Sequence, residues 1–285
     1  MPPASTATPV PILPGLEPLA DRYDGFILDL WGVLHDGQHP LPGAVDALER
    51  LHGAGKHIVI LSNAPRRAAA VIRRIAEIGI RPGLYDALLS SGEATWNWLD
   101  GDGKRLGKRL YPIMAARDDN MLEGLPVEVV QDIEAADFIL NTGVESAADK
   151  VEDFEAALVA GVGRGLPMVC ANPDLMVIHG GKAEICAGAV ALRYEQLGGK
   201  VHYFGKPHRP IYDSCFELLV TADRRRILGV GDSLRTDIAG AEAAGIDSLL
   251  VLNGIHQEEL AGGDLESIVR RAGVRPSAAV PSFRW

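Results

Sequence analysis

Short apolar runs rich in Val, Ile and Leu alternate with segments of helical periodicity along most of the chain. The first run, residues 25–30, is broken only by Asp29 near its end, and Gly32 follows in a predicted turn. A run without polar alternation is typical of a strand that is buried on both faces, as in parallel sheets. Because such strands alternate with helices, the pattern predicts an α/β protein built from βα units.

The same pattern predicts the elements of the remaining chain. Glycines mark the ends of the helical segments, and prolines or polar residues mark their beginnings. The predicted strands are 25–30, 57–61, 87–90, 109–113, 138–140, 168–171, 200–204, 226–231 and 248–252. The predicted helices are 42–54, 65–77, 94–99, 151–160, 187–197, 211–219 and 236–244.

The elements divide into two sets, because the alternation restarts after Asp100-Gly101-Asp102-Gly103. We therefore predict a Rossmann-like, doubly wound parallel sheet as the core, made of residues 1–93 and 203–285. Residues 94–202 are predicted to form an inserted α/β domain. The tail to Trp285 is too short to be a separate domain.

Polar side chains stand at the carboxyl ends of several predicted strands, namely Asp29, Ser62, Asp232 and, just past its strand, Lys206. Taken singly, an Asp before Gly is usually a turn and a Ser before a helix is usually an N-cap. In open parallel sheets, however, ligands bind outside the carboxyl ends of the strands. We therefore expect these strand ends to meet in one site.

The residue types at these ends suit phosphoryl transfer, which needs a nucleophile, a divalent cation, phosphate donors and a fixed positive charge. Asp29 is the candidate nucleophile, and it needs a cation nearby, since a buried carboxylate without a partner costs several kcal/mol. With Asp232 and Asp237 it offers the oxygen ligands that Mg²⁺ prefers. Ser62 and nearby amides are candidate phosphate donors, and Lys206 is the candidate positive charge.

Composition excludes several classes of protein. The 47% hydrophobic share and 23% charged share of the 285 residues exclude disorder. The net charge of −10, without a basic run, argues against nucleic acid as a partner. Three widely spaced cysteines indicate a reducing compartment, and no run reaches the roughly 18 apolar residues of a membrane span. We expect a cytoplasmic protein that has no contact with membranes.

The same residues carry a resemblance to the haloacid dehalogenase superfamily of hydrolases. The four motifs of that family occur here in order, as Asp29-Leu30-Trp31-Gly32-Val33, Leu61-Ser62-Asn63, Gly205-Lys206-Pro207 and Gly231-Asp232-Ser233-Leu234-Arg235-Thr236-Asp237. The wide gap between the second and third motifs, and Ala171-Asn172-Pro173-Asp174 within it, resemble subfamily IIA, whose α/β cap is inserted after the third core strand. That subfamily includes nucleotide, phosphoglycolate, pyridoxal phosphate and nitrophenyl phosphate phosphatases.

The resemblance implies roles for further residues. It implies that Mg²⁺ is held by Asp29, Asp232, Asp237 and the backbone carbonyl of Trp31. It also implies that amides near Gly32 and Asn63 hold phosphate together with Ser62 and Lys206. Asn172 and Lys182, in the predicted loop after strand 168–171, are the candidate substrate contacts of the cap. Capped relatives often dimerise through the cap, which leaves a homodimer as an option.

Trp31 is a departure from the family pattern. Phosphatases of the family carry a second Asp there, a general acid and base, and an indole cannot transfer protons. Such help is worth about 10²–10⁴ in rate, so its loss predicts a slow enzyme or one restricted to good leaving groups. The candidate substitutes are His35, Asp36, His179 and His208, and the spacing selects none of them.

Trp31 also keeps other chemistries open. Dehalogenases of the superfamily have an aromatic residue at this place and carbon–phosphorus hydrolases a small one, while a regulatory protein could keep the pocket without turnover. Dehalogenation needs no metal, whereas two neighbouring acids such as Asp232 and Asp237 would repel each other without a cation. The favoured interpretation is a Mg²⁺-dependent phosphatase that acts on a small phosphorylated metabolite through an aspartyl-phosphate on Asp29. A non-catalytic or weakly active phosphate-binding protein is the alternative.

Overall fold

A computed structural model describes residues 8–179, 182–219 and 223–285 of the chain. Its strands are, in chain order, β1 (Gly25–Leu28), β2 (His57–Ser62), β3 (Ala87–Ser90), β4 (Arg109–Ile113), β5 (Glu128–Val129), β6 (Phe138–Asn141), β7 (Pro167–Cys170), β8 (Met176–His179), β9 (Lys182–Ile185), β10 (Lys200–Tyr203), β11 (Ile227–Gly231), β12 (Asp247–Val251) and β13 (Ala278–Val280).

Each predicted helical segment is found, and the described residues also form three α-helices that the periodicity did not predict, at residues 17–20, 257–262 and 265–272. The α-helices are α1 (Glu17–Ala20), α2 (Ala44–Gly53), α3 (Ala68–Glu77), α4 (Ser91–Asp100), α5 (Glu155–Gly163), α6 (Ala187–Gln196), α7 (Arg209–Leu218), α8 (Ala239–Ala244), α9 (Gln257–Gly262) and α10 (Leu265–Ala272). A π-helical turn, Leu234–Ile238, precedes α8. Across the described ranges, no helix combines the length and the apolar character needed to cross a membrane.

The core sheet is parallel throughout, with the strand order β13-β12-β11-β1-β2-β3. Alternate residues of its strands are buried on opposite faces. Leu28 and Ile60 pack in one apolar cluster with α2 and α3, and Ile27 and Val59 pack in another with α7 and α8. The predicted α/β class with a doubly wound core is confirmed. The strand order changes direction between β1 and β11, and ligands bind at such switch points.

A second parallel sheet, with the order β10-β7-β6-β4-β5, lies between β3 and β11 in the sequence. One face packs against α5 and α6 and the other against α4. The segment after β7, expected to be a loop as far as Lys182, contains the antiparallel hairpin β8–β9. We call the structure built on this second sheet the cap.

The predicted domain boundary between residues 202 and 203 falls inside the strand before Lys206. That strand, β10, pairs with β7 at the edge of the cap sheet. Hydrophobicity could not reveal this, because an apolar strand suits either of two adjacent parallel sheets. The tail does not form a separate domain, and it contains β13, a strand that the apolar pattern did not predict and that completes the edge of the core sheet beside β12.

Candidate active site

Three buried carboxylates meet where β1 and β11 end. Asp29 follows β1, Asp232 follows β11, and Asp237 lies in the π-helical turn before α8. Carboxylate oxygens of all three lie within 4.8 Å of one another. The structure therefore brings together the side chains that the sequence proposes for Mg²⁺. Hard oxygen ligands at this spacing suit a small divalent cation.

Lys206 is the cation of this cluster. Its Nζ contacts Oδ1 of Asp29 and lies 2.7 Å from Oδ1 of Asp237. Although it follows a cap strand, it reaches the end of the core sheet and is 3% exposed. The three carboxylates of the cluster and this one ammonium leave a formal charge of −2. Since buried charge without a partner is unfavourable, the residues fit a divalent cation.

The pKa values reflect this excess of carboxylates. Burial raises the pKa of Asp29 well above its usual range, and the charge of Asp237 adds to this effect while Lys206 opposes it. Burial and Asp237 raise the pKa of Asp232 to about 7. Burial disfavours the ammonium of Lys206, but the carboxylates of Asp237 and Asp29 outweigh burial and raise its pKa. A cation bound here would displace protons from the carboxyl groups.

The backbone approaches Asp232 closely at Gly32, which has a φ of +78°. A Cβ at Gly32 would overlap Oδ2 of Asp232, and so would a Cβ at Gly254. The same oxygen accepts the N–H of Ile255 at 2.8 Å. Only glycine fits such a conformation without strain. The N–H of Gly32, expected to hold phosphate, donates to the carbonyl of His35 at 2.9 Å.

Ser62 and Asn63 occupy the end of β2, and both are buried. The hydroxyl oxygen of Ser62 accepts the N–H of Ala64 at 3.2 Å, which shapes the turn beyond the strand. The side chain of Asn63 faces Lys206: its Oδ1 accepts the N–H of Lys206 at 2.8 Å, and its Nδ2 donates to the carbonyl at 3.1 Å. The sequence proposes a backbone role for Asn63 and missed this side-chain role.

The loop after β7 places residues of the cap against residues of this site. Asn172 helps to shape this loop, because its Oδ1 accepts the N–H of Asp174 at 3.0 Å, and its role as a substrate contact stays a prediction. The carboxylate of Asp174 accepts a hydrogen bond from Nδ2 of Asn63 at 2.9 Å. The carbonyl of Pro173 accepts one from Arg235 at 2.5 Å. Lys182 begins β9, and its side chain lies outside the described residues.

Trp31 lies on the loop that follows β1. Its indole packs edge-on against the ring of His35, with ring centres 5.3 Å apart, and a Cβ at Gly37 would overlap it. Burial lowers the pKa of His35 to about 4, so its ring is neutral at pH 7. Nδ1 of His35 accepts the N–H of Gly37 at 2.7 Å, which leaves the ring proton on Nε2.

The other candidate proton donors have local partners. Oδ1 of Asp36 accepts backbone N–H groups of Gln38 and His39 at 2.8 and 2.7 Å, which is a turn geometry. His208 stacks on Tyr203 with ring centres 5.0 Å apart, and burial lowers its pKa. The side chain of His179 lies outside the described residues. Geometry therefore does not select any of these groups as a replacement acid.

Comparison with known proteins shows which family this chain resembles. A haloacid dehalogenase-like hydrolase family model matches residues 26–128, and a HAD-hydrolase-like model matches residues 203–284. A solved haloacid dehalogenase-like hydrolase from Brucella suis is 33% identical, with a TM-score of 0.85, and the match covers 95% of this chain and 100% of that one.

Two named phosphatases are more distant relatives. The D-glycerol 3-phosphate phosphatase of Mycobacterium tuberculosis is 27% identical over 242 residues, which are 85% of this chain and 66% of that protein. The ribonucleotide monophosphatase NagD of Escherichia coli is 27% identical over 259 residues, which are 89% of this chain and 96% of that protein. These relatives share a class of reaction but differ in the substrates they are named for.

Proposed function

The chain belongs to the haloacid dehalogenase-like hydrolase family, and on that basis we propose that it is a Mg²⁺-dependent phosphatase of a small phosphorylated metabolite. One observation carries the proposal. Within the described ranges, the buried cluster of Asp29, Asp232 and Asp237 is paired with one ammonium, that of Lys206, and this leaves a negative charge suited to a divalent cation. The named phosphatases among the relatives support the reaction class.

In this proposal Asp29 is the nucleophile. Its carboxylate attacks phosphorus in line, an O–P bond forms, and the bond between phosphorus and the leaving-group oxygen breaks. Where the departing oxygen needs a proton, solvent water supplies it, because the geometry selects no acidic side chain for this step. Water then attacks the phosphorus of the aspartyl-phosphate, which releases inorganic phosphate and restores the carboxylate. Burial favours this chemistry, because a desolvated carboxylate is not shielded by water.

The surrounding residues bind and orient the phosphate. Lys206 lies against Asp29 and offers its ammonium to a phosphate oxygen, while Ser62 and the amides near Gly32 and Asn63 offer hydrogen bonds. Asp29, Asp232, Asp237 and the carbonyl of Trp31 are the proposed ligands of Mg²⁺. When bound, Mg²⁺ supplies charge neutralisation for the phosphate and the carboxylates.

Mg²⁺ binding is testable without a substrate. Adding MgCl₂ to the metal-free protein should raise its melting temperature, since binding at 100 times the dissociation constant contributes about 2.7 kcal/mol. Asp232→Asn should remove most of this response, because it takes away a proposed ligand. Differential scanning fluorimetry measures both, with equal ionic strength of NaCl as the control. An equal response in the wild type and in Asp232→Asn would place the cation elsewhere.

Leaving-group dependence tests the consequence of Trp31. We expect the wild type to hydrolyse acetyl phosphate and nitrophenyl phosphate but to act slowly on alkyl esters such as glycerol phosphate. Trp31→Asp should raise kcat for the alkyl ester, with about 10²–10⁴ as the full value of general acid catalysis. Trp31→Asn is the matched control, since it is nearly isosteric with Asp but has no acidic proton.

Steady-state kinetics of the two variants separate the outcomes. Equal rates for Trp31→Asp and Trp31→Asn on the alkyl ester would show that the missing acid at position 31 does not explain slow hydrolysis by the wild type. A wild type that binds phosphate with Mg²⁺ but does not turn over even acetyl phosphate would contradict the phosphatase and support the non-catalytic alternative.

A further inference from the structure

A hydrogen-bond chain links the cap to the backbone of Lys206. It begins at the carboxylate of Asp174, which accepts a hydrogen bond from Nδ2 of Asn63 at 2.9 Å. The same amide group donates to the carbonyl of Lys206 at 3.1 Å and accepts its N–H at 2.8 Å. Asn63 therefore holds both backbone polar groups of the residue whose ammonium contacts Asp29.

Asp174 helps to define the orientation of the Asn63 amide. A carboxamide has two N–H donors, and here one points to the carbonyl of Lys206 and the other to Asp174. If the amide turned over, its oxygen would face the Asp174 carboxylate and its nitrogen would face the N–H of Lys206. Both contacts would be repulsive. Removing the carboxylate of Asp174 leaves one N–H of the Asn63 amide without its acceptor. This weakens the orientation in which the amide hydrogen-bonds the backbone of Lys206.

The segment around this chain is closely packed. Gly205, next to Lys206, has a φ of +118°, and a Cβ there would overlap Oδ1 of Asn63 and the ring of Pro173. The hydroxyl of Ser91 donates to the carbonyls of Asn63, at 2.8 Å, and of Ala171. The cap loop thus leaves Asn63 and Lys206 little room to shift.

We propose that Asp174 is a positioning residue, which acts through Asn63 to hold Lys206 with its ammonium between Asp29 and Asp237. The role rests on the proposed function, in which this ammonium lies beside the reacting phosphate. It makes the placement of Lys206 depend on a residue of the cap. Small displacements of catalytic groups are costly, and about 1 Å costs on the order of 10²-fold in rate.

Two substitutions separate this role from proton donation by Asp174. Asp174→Asn keeps an acceptor oxygen for Nδ2 of Asn63 but removes the acidic group. Asp174→Ala removes both. Positioning through a hydrogen bond predicts that Asn rescues most of the activity that Ala loses, whereas proton donation predicts that both variants fail alike. Asp132→Ala, at an exposed cap aspartate that accepts the N–H of Glu134, controls for loss of an aspartate in the cap.

The experiment is steady-state hydrolysis of acetyl phosphate and of glycerol phosphate with Mg²⁺, at several pH values, for the wild type and each variant. Both substrates are used because only the alkoxide leaving group of glycerol phosphate needs the proton that an acidic Asp174 would donate. We expect Asp174→Ala to lower kcat by on the order of 10²-fold, with a smaller change in KM. Asn63→Ala should lower kcat similarly, and the double variant should be no worse than the single ones, because both act through one chain. Wild-type kcat in Asp174→Ala would overturn the proposal, as would equal losses in Asp174→Asn and Asp174→Ala.

A second readout does not require turnover. Hydrogen exchange of the Lys206 amide, followed by NMR in the absence of substrate, should be faster in Asp174→Ala than in the wild type and near wild type in Asp174→Asn. Unchanged exchange in Asp174→Ala would overturn the positioning role even if this variant had lost activity. A wild type that hydrolyses no ester would reject the phosphatase, and the exchange data would still decide whether Asp174 holds Lys206.

Discussion

Replacing Asp29 with Asn is expected to abolish turnover while the protein stays folded. The amide cannot form the aspartyl-phosphate, and loss of a covalent nucleophile reduces kcat by on the order of 10⁶-fold. Folding should persist, because the change removes one charge from a cluster that holds an excess of carboxylates. Lys206 keeps Asp237 as its partner at 2.7 Å.

The assay measures release of inorganic phosphate from acetyl phosphate, and urea denaturation measures the free energy of unfolding. Asp36→Asn is the matched control, because Asp36 lies on the same loop, is exposed and accepts hydrogen bonds that Asn can also accept. It should retain wild-type kcat. Full activity in Asp29→Asn would exclude a covalent mechanism at this residue.

Replacing Lys206 with Met is expected to destabilise the metal-free protein by about 3–5 kcal/mol, the usual cost of removing one partner of a buried ion pair. The cause is electrostatic. Without this ammonium, no ion pair with Asp29, Asp232 or Asp237 remains among the residues that the structure describes. A methionine is close to the aliphatic part of lysine in shape, so packing changes little.

Urea denaturation in EDTA gives the change in the free energy of unfolding, with Lys200→Met as the control at an exposed lysine of β10. The control should change stability by less than about 0.5 kcal/mol, as is usual at surface positions. MgCl₂ should restore part of the stability lost in Lys206→Met, since a divalent cation offsets the same carboxylates. An equal loss in both variants would show that Lys206 does not balance the cluster.

The chemistry of the carboxylate cluster was predictable from local sequence. Asp29 and Asp232 each follow an apolar run of the kind typical of a buried strand, and parallel strands place such ends together. Asp237 follows Asp232 closely enough for the next turn to return its side chain to the same place. The roles assigned to these residues, the cytoplasmic location and a homodimer through the cap stay predictions.

The position of Lys206 was predictable only in part. Its motif implies that it joins Asp29, and the structure brings them into contact. The predicted boundary after residue 202 divided its strand between the two domains, whereas the whole of β10 pairs with β7 in the cap. Strand pairing depends on contacts between distant segments. When two parallel sheets have similar apolar strands, the local sequence does not indicate which sheet a strand joins.

The hydrogen-bond partners of the Asn63 side chain could not be predicted from the sequence. Asp174 stands in a turn-forming segment, Asn172-Pro173-Asp174, which fits an ordinary loop equally well. Its contact with Asn63 joins residues 111 positions apart, and that of Asn63 with Lys206 joins residues 143 positions apart. The packing of the Trp31 indole against His35 and Gly37 could not be predicted from the sequence either.

The sequence by itself determined the α/β class, the order of the motifs and the residues able to hold a divalent cation, because apolar periodicity and residue chemistry are local properties. The tertiary structure decided which sheet β10 joins, how Lys206 reaches Asp29, and that Asp174 contacts Asn63. These features arise from packing and hydrogen bonds between segments far apart in the chain, whose free energies no single segment encodes.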